Sequence, residues 1–238
     1  MTSTNDIARQ WAVSGVVSGC IRAACQTKGR GRMGRDWYSP KGGNLYASYL
    51  RKPQQKMADW PGLSLAASLS VIDALQQALL KTGLKKKPCF QLKWPNDILL
   101  NQKKIGGILL ESIAMSKQLI IGVGINLIDM PHHLKNGWAA GSLKQMGFKL
   151  DAHLVFDLLD QTINKRFDQW KGIDHQTLIS DWLALGPPKG TEIQINNGPN
   201  RQKGYFYGID HDGVLQFLNI NDPQKIQSIR MAEITSMS

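Results

Sequence analysis

Seven residues, Gly29-Arg30-Gly31-Arg32-Met33-Gly34-Arg35, restrict the fold of this 238-residue chain more than any other stretch. Glycines this closely spaced favour a flexible loop, let the backbone approach a ligand and expose its N–H groups. The arginine guanidiniums offer fixed pairs of donors to phosphate or carboxylate oxygens. Trp37 follows and supplies a ring face on which a base can stack. The stretch therefore predicts a loop that closes over an anionic, nucleotide-like ligand.

The same glycines spell G-x-G-x-x-G, the dinucleotide-binding fingerprint, but the flanking sequence argues against that fold. The fingerprint needs a helix directly after the glycines and an acidic residue about 20 positions further on. Residues 36–43 are poor helix formers, and residues 49–56 are basic without an acidic residue. A run of charged residues more commonly forms a solvated loop without a function, and this is the alternative interpretation of the stretch. It explains the arginines but neither the glycine spacing nor the tryptophan.

A second cluster of polar residues lies within the apolar stretch from Phe90 to Leu100. Pro95 predicts an edge, a bulge or a turn at this point. Lys93 and Asp97, two opposite charges in apolar surroundings, flank it. A hairpin turn at residues 101–103 then leads into a strand, and lysines beside such a turn commonly serve only for solvation.

The stretch from Leu119 to Asn126 predicts an apolar strand that is buried on both faces. Strand alternation places Gly122, Gly124 and Asn126 on one face. Two glycines on one face leave a gap through which a ligand can approach the backbone. The amide of Asn126 at the end of that face therefore becomes a candidate for reading an adenine or ribose edge.

Apolar periodicity predicts three helices in the rest of the N-terminal part. One begins at about Pro61, a residue that suits a first turn, and ends at Gly83. The others cover residues 151–170 and 176–185.

A Gly/Pro-rich linker over residues 186–190 predicts a domain boundary. Short alternating strands follow it, with turn signals at Asn197-Gly198 and Asp212-Gly213. We therefore expect two units, residues 1–186 and residues 187–238, and the second is a small β-barrel near the minimum size that folds unaided.

The net charge of +11 suits polyanionic partners such as nucleic acid, anionic membrane, phosphates or an acidic protein. No helix-turn-helix, zinc-finger or RNA-binding signature accompanies it, so the charge favours ATP and an acidic protein over specific nucleic acid. Three cysteines without C-x-x-C spacing indicate buried or free thiols in a reducing compartment rather than a disulfide framework or a zinc site. The sequence shows no signal peptide and no run of about 18 apolar residues. It therefore predicts a cytoplasmic protein that is not bound to a membrane.

The glycine–arginine loop and its continuation to Tyr46 resemble the biotin-binding loop of biotin protein ligases, G-R-G-R-x-G-R-x-W-x-S-P-x-G-x-N-L-Y. The segment Lys93–Glu111 resembles their K-W-P-N-D…K-[IL]-x-G-[IL]-L-x-E signature, and Gly122–Asn126 fits their G-x-G-[IL]-N motif. The resemblance covers nearly the whole chain and is looser after Pro187. Met33 departs from it, because many members carry another basic residue there.

The resemblance implies an α+β fold with a mixed β-sheet flanked by helices, as in class II aminoacyl-tRNA synthetases, followed by a C-terminal SH3-like barrel. Family members have a β-strand before the segment that corresponds to Ser3, whereas this sequence begins two residues upstream of Ser3; either the sheet has lost an edge strand or the chain starts late. Some members also have an N-terminal DNA-binding domain. The chain has no room for one before Ser3, so we expect a monofunctional ligase.

The family match also implies the roles of individual residues. The residues implied to bind biotin are Ser3, Thr4, Asn5, Gln26, Arg30, Gly31, Arg32, Lys104 and Gly107. Those implied to bind ATP are Arg32, Arg35, Trp37, Asn96 and Asn126. Catalysis is expected from Arg32, Lys104 and Lys93. Asp97 either belongs to the shell of a Mg²⁺ ion or neutralises a nearby lysine.

The reaction implied by the resemblance has two steps. The biotin carboxylate attacks the α-phosphate of Mg-ATP to give biotinyl-5′-AMP, and a lysine of the biotin carboxyl carrier protein of acetyl-CoA carboxylase then accepts the biotin. The first nucleophile is already ionised at pH 7, so catalysis calls for positive charge rather than a catalytic triad. A lipoate–protein ligase and a non-catalytic biotin- or nucleotide-binding module are the alternatives. Family members often pair through the catalytic sheet, so a homodimer is also an alternative.

Overall fold

The computed structural model describes residues 1–83, 88–130, 139–170, 172–197 and 200–237. Four α-helices occur in these ranges, namely α1 Thr4–Val13, α2 Leu63–Lys81, α3 Ala152–Gln169 and α4 His175–Leu185. The strands of the first part are β1 Gly19–Ala23, β2 Leu45–Arg51, β3 Phe90–Lys93, β4 Asp97–Leu100, β5 Lys103–Ile113 and β6 Gln118–Ile125. Those of the second part are β7 Glu192–Asn197, β8 Asn200–Ile209, β9 Leu215–Asn219, β10 Ile226–Ile229 and β11 Glu233–Met237.

The first six strands form one sheet in the order β1-β2-β6-β5-β4-β3. The α+β class is confirmed, but the sheet is not mixed, because each of its strand pairs is antiparallel. For three of the five pairs the physical reason is that short turns join β3 to β4, β4 to β5 and β5 to β6, and a short turn can only reverse the chain.

The two faces of this sheet have different coverings. Ala47, Tyr49 and Val123 point to the face that packs in the main core with α2 and α3. On the opposite face, Leu50 and Ile120 pack against α1. Ser48 pairs in register with Gly122, so both lie on the α1 face. This face is less completely covered by helices and holds the functional site.

Helix α2 is the central core helix, as its apolar stripe predicts, but it begins at Leu63 rather than at Pro61. Pro61 lies in a preceding 3₁₀-helix, Met57–Gly62. The stretch from Met57 to Lys81 is long and apolar enough to cross a membrane by length and composition alone. Most of it is buried inside the protein, which is the arrangement of a core helix.

The last five strands form a second antiparallel sheet in the order β10-β9-β8-β7-β11. This sheet matches the short strands predicted after the linker and fits an SH3-like domain. The turn at Asp212-Gly213 is confirmed, with Gly213 at a positive φ of 75°. The predicted turn at Asn197-Gly198 lies partly outside the described residues.

Candidate active site

A cavity of about 540 Å³ lies on the α1 face of the first sheet, and the glycine–arginine loop forms one wall of it. Every site residue predicted from the sequence lines this cavity, although the residues come from distant parts of the chain. They are Ser3, Thr4, Asn5, Gln26, Arg30, Gly31, Arg32, Arg35, Trp37, Lys93, Asn96, Asp97, Lys104, Gly107 and Asn126. The structure thus brings the predicted residues together, and their individual roles stay predictions.

One end of the cavity presents neutral polar groups. Gln26 Oε1 accepts hydrogen bonds from the backbone N–H of Thr4 at 2.8 Å and from its hydroxyl at 3.1 Å. Ser48 Oγ lies 2.7 Å from Thr4 Oγ1 and 2.5 Å from Asn5 Oδ1. Ser3, Thr4 and Asn5 are almost completely buried. Amides and hydroxyls held this way suit an uncharged head group that both donates and accepts hydrogen bonds.

The residues before α1 are fixed next to this end of the cavity. The carbonyls of Met1 and Thr2 accept hydrogen bonds from the backbone N–H groups of Thr27 and Lys28, at 3.0 and 2.8 Å. These contacts hold the start of α1 beside Gln26.

Arg30 makes ion pairs at the neutral end. Its guanidinium lies 2.7 Å from Asp6 and 3.7 Å from Glu111. Burial acts to lower the pKa of Arg30, but the hydrogen bond with Asp6 and the charge of Glu111 outweigh burial and raise it. Glu111 also accepts a hydrogen bond from Asn5 Nδ2 at 2.7 Å. Arg30 therefore brings little net charge to the cavity and fixes the loop to α1.

The floor of the cavity holds a buried cluster of two lysines and one carboxylate. The two oxygens of Asp97 each lie 2.6 Å from an ammonium group, Lys93 on one side and Lys104 on the other. Burial alone would raise the pKa of Asp97, but the charges of Lys104 and Lys93 outweigh it and lower that pKa to about 2. Burial lowers the pKa of Lys93 in spite of its carboxylate partner. With all three groups ionised the cluster has a net positive charge, which attracts an anion.

The geometry around Asp97 does not fit a magnesium ligand. Both of its oxygens already contact ammonium groups, whereas Mg²⁺ requires open oxygen ligands in near-octahedral geometry. No group of three or more His, Cys, Asp or Glu side chains able to hold a metal ion occurs within the described ranges. Of the two roles that the sequence left open for Asp97, the contacts match the neutralisation of neighbouring lysines.

Arg32 extends from the loop over the cavity and is mostly buried there. Its guanidinium lies 3.4 Å from Asn96 Oδ1 and 3.4 Å from the backbone carbonyl of Ala232. Burial lowers the pKa of Arg32, but a guanidinium titrates so far above neutral pH that it stays charged. Arg35 forms an ion pair with Glu233. The loop is thus connected to the C-terminal sheet across the mouth of the cavity.

Trp37 lies over the glycine face of β6. A Cβ atom on Gly124 would overlap the Trp37 ring, and one on Gly122 would collide with the Asn5 amide. The predicted gap above the two glycines is therefore occupied by side chains of the protein itself, because the loop and α1 both pack onto this face. Lys104 Nζ lies 5.5 Å from the centre of the Trp37 ring.

Two buried polar atoms beside this glycine face have no hydrogen-bond partner among the described residues. They are the indole N–H of Trp37 and the amide oxygen of Asn126. The amide nitrogen of Asn126 donates to the carbonyl of Gly141 at 3.1 Å, which fixes the orientation of the amide. A ligand with one acceptor and one donor would satisfy both atoms.

Sequence reasoning missed Ser48, Glu111 and Glu233 as parts of the site. Ser48 has a visible signal, since it is a small polar residue in the middle of strand β2, between Ala47 and Tyr49. Glu111 lies within a motif that the family resemblance covers, but nothing local indicates that Glu111 contacts Arg30 or that Glu233 contacts Arg35.

Comparison with known proteins places this fold and site in one class: the chain belongs to the Biotin/lipoate A/B protein ligase family, whose sequence profile matches residues 1–126. It is 31% identical to the biotin–[acetyl-CoA-carboxylase] ligase of Paracoccus denitrificans, covering 98% of this chain and 96% of that protein. It is 33% identical to the bifunctional ligase/repressor BirA of Bacillus subtilis, covering 96% of this chain and 70% of that protein. Among solved structures, the biotin protein ligase from Aquifex aeolicus in complex with biotin and ATP is similar over 100% of this chain and 95% of that chain, with a TM-score of 0.80 and 29% identity. The resemblance stated from the sequence motifs is thereby confirmed.

Proposed function

We propose that this protein is an ATP-dependent biotin–protein ligase, which activates biotin as biotinyl-5′-AMP and transfers it to a lysine of a biotin carboxyl carrier protein. The observation that carries the proposal is the position of the Lys93–Asp97–Lys104 cluster and of Arg32. The cluster, with its net positive charge, and the Arg32 guanidinium lie in the same cavity as the neutral end formed by amides and hydroxyls. A ligand with a neutral polar head and a carboxylate tail, bound next to a nucleotide, suits this distribution of charge.

The first step joins two anions, so the protein has to offset negative charge. A carboxylate oxygen of biotin attacks the α-phosphorus of ATP, and the bond from that phosphorus to the pyrophosphate oxygen breaks. Lys104 and Arg32 supply positive charge next to the reacting phosphate, and Asp97 holds the ammonium of Lys104 in place. Mg²⁺ enters with ATP as part of the substrate and supplies further charge neutralisation on the phosphates.

The second step transfers the biotinyl group. The neutral amine of the acceptor lysine attacks the carbonyl carbon of the mixed anhydride, AMP leaves, and the amine releases a proton. The loop that carries Arg32 and Arg35 covers the cavity, so it shields the reactive anhydride from water until the acceptor arrives.

The neutral end of the cavity favours biotin over lipoate. The ureido ring of biotin offers two N–H donors and a carbonyl acceptor, whereas the dithiolane ring of lipoate offers none. The amides of Asn5 and Gln26 and the hydroxyl of Ser48 already bond within the protein, but their remaining hydrogen-bonding capacity suits the ureido ring and would go unused with a dithiolane ring.

The other end suits an adenine ring. The amide oxygen of Asn126 can accept a hydrogen bond from the exocyclic amine of adenine, and the indole N–H of Trp37 can donate to a ring nitrogen. Trp37 lies against Gly124 on the cavity face, so its indole N–H, which has no partner among the described residues, is already available for this contact.

The proposal includes three further expectations. The acceptor is the carrier subunit of acetyl-CoA carboxylase, the protein acts in the cytoplasm, and a homodimer through the catalytic sheet remains compatible with the fold. None of them depends on the geometry of the cavity.

Pyrophosphate exchange into ATP, measured with biotin, with lipoate and with neither, tests the first step. We expect exchange that depends on biotin, followed by labelling of a purified carrier protein when it is added. Exchange with lipoate alone would show that the substrate is lipoate rather than biotin, and the proposed adenylation chemistry would stand. A folded protein that exchanges with neither acid would instead be a binding module.

A further inference from the structure

The hairpin that joins β8 to β9 is fixed firmly against the catalytic part of the molecule. Asp210 organises it, because one carboxylate oxygen accepts hydrogen bonds from the N–H groups of Asp212 and Val214 at 2.9 and 3.0 Å. Outside the hairpin, the His175 ring lies 2.7 Å from the carbonyl of His211. Gly213 lies directly on the core, and a Cβ there would come within 2.8 Å of Leu65 and 3.3 Å of Trp170.

Gly213 also bonds to the segment that carries the cationic cluster. The indole N–H of Trp94 donates to the carbonyl of Gly213 at 3.0 Å, and both residues are buried. The adjacent residue, Lys93, donates from its ammonium group to the carbonyl of Ile234 at 3.1 Å. Lys93 at the end of β3 and Trp94 directly after it are thus held by two separate points of the C-terminal part, namely β11 and the hairpin between β8 and β9.

The segment that begins with Lys93 and Trp94 positions the groups assigned to adenylation. Asn96, two residues after Trp94, contacts Arg32 through its amide oxygen, and its carbonyl accepts from the N–H of Ile108 at 3.0 Å. Asp97, one residue further, holds Lys104 at 2.6 Å. A displacement of the Trp94 ring would therefore reach both Arg32 and Lys104 within three residues of chain.

We propose that the Asp210–Gly213 hairpin is a positioning element for adenylation, and that Gly213 acts through Trp94 on the segment 93–97. The inference rests on the proposed function, since it takes Arg32 and Lys104 as the groups that contact the reacting phosphate. Gly213 itself touches no substrate. Its position decides where Asn96 and Asp97 place those two cations, so its role should appear in kcat rather than in the KM for biotin.

Two substitutions with matched controls test the proposal. Gly213→Ala adds a methyl group where φ is +75°, and its control Gly190→Ala makes the same change in the turn before β7, at φ +89° with nothing within 4 Å. Trp94→Phe removes the indole donor. Its control Trp60→Phe removes another buried indole that donates to a backbone carbonyl, that of Gln55, away from the cavity.

Biotin-dependent pyrophosphate exchange and hydrogen–deuterium exchange are measured on all four variants. We expect Gly213→Ala and Trp94→Phe to lower kcat about ten-fold, with the KM for biotin within about two-fold of wild type, because a small misplacement of reacting groups costs at least this much. The amide of Ile108 and the peptide covering residues 93–97 should exchange faster in these two variants and at the wild-type rate in both controls. If Gly213→Ala does not fold, Trp94→Phe and its control decide.

Three results would overturn the proposal: unchanged deuterium exchange at residues 93–97, an unchanged kcat despite faster exchange, or an equal loss of kcat in the controls. A wild-type protein without biotin-dependent activity would overturn the proposed function instead. Deuterium exchange would then test only the structural coupling between Gly213 and residues 93–97. Faster exchange at residues 93–97 in Gly213→Ala and Trp94→Phe would support this coupling, and unchanged exchange would refute it.

Discussion

Lys103 and Lys104 are neighbours in sequence but have different environments, because successive residues of a strand point to opposite faces. Lys103 is exposed beside the turn, whereas Lys104 is partly buried in the cavity and paired with Asp97. The sequence alone was compatible with both lysines being solvated residues at the turn, without a role in the site. At the scale of single residues, it is the ion pair with Asp97 that separates a candidate catalytic lysine from a solvated one.

Replacing Lys104 or Arg32 by alanine is expected to slow adenylation by roughly 10²–10³, the effect of removing one donor that stabilises developing charge. Lys103→Ala is the matched control and should stay within about two-fold of wild type. The measurement is biotin-dependent pyrophosphate exchange at saturating substrates. Equal rates for Lys104→Ala and Lys103→Ala would refute the assignment.

Asp97→Asn is expected to destabilise the protein by about 3 kcal/mol at neutral pH, because the buried ammonium of Lys93 and the partly buried ammonium of Lys104 lose their common partner. The pKa of Asp97 is about 2 when folded, below its ordinary value of 3.8. Its contribution is therefore complete above about pH 4 and is lost as the pH falls towards 2, with about 1 kcal/mol lost by pH 3.

Urea unfolding of wild type and Asp97→Asn between about pH 7 and pH 3 measures this effect. The difference in unfolding free energy should be constant down to about pH 4 and should shrink below it. Asp222→Asn, at an exposed turn, serves as the control and should show no such change. A difference that stays constant down to pH 3 would contradict the low pKa of Asp97.

At the scale of elements, two glycines of strand β6 lie beneath two different parts of the cavity. Gly122 lies under Asn5 at the neutral end, and Gly124 lies under Trp37 at the end proposed for adenine. Both glycines are on one face of one strand, and the methyl group of an alanine would displace a different side chain at each position.

Gly122→Ala is expected to raise the KM for biotin about ten-fold, and Gly124→Ala to raise the KM for ATP by a similar factor, because overpacking costs about 1–3 kcal/mol at such sites. Each variant is the control for the other. Initial-rate pyrophosphate exchange with one substrate varied at a time provides both constants. If both variants raise both constants equally, the division of the cavity into two ends is wrong.

At the scale of the whole molecule, the positive charge is distributed unevenly. Residues 187–238 contain equal numbers of acidic and basic side chains, so the net charge of +11 belongs to residues 1–186. A surplus of this size on the part that carries the cavity attracts an acidic protein during encounter. It does not affect a reaction step that takes place after all substrates are bound.

Salt should therefore lower kcat/KM for the carrier protein, which includes the encounter, but it should not lower the rate of adenylation at saturating substrates. Raising the salt concentration from about 0.05 to about 0.5 M is expected to lower kcat/KM for an acidic carrier protein about ten-fold, since surface charges are screened. The kcat of pyrophosphate exchange, measured in the same buffers, is the control. A carrier kcat/KM that does not respond to salt would show that charge does not guide the encounter.

Local patterns in the sequence were sufficient to predict the helices after residue 150, the short C-terminal strands and the shared face of Gly122, Gly124 and Asn126. Alternation, apolar periodicity and turn chemistry depend on neighbours within a few residues, so they can be read without knowing the fold. The motif residues were also identifiable, and the structure brings them to one cavity.

Only the tertiary structure decided how these pieces meet. It placed β2 beside β6, filled the glycine face with Asn5 and Trp37, and brought Arg32 to the carbonyl of Ala232, 200 positions away. It also showed Asp97 between two lysines, where the sequence left a magnesium shell open. Contacts of this kind depend on strand pairing and on packing between distant segments, and no local pattern encodes which distant partner a side chain will meet.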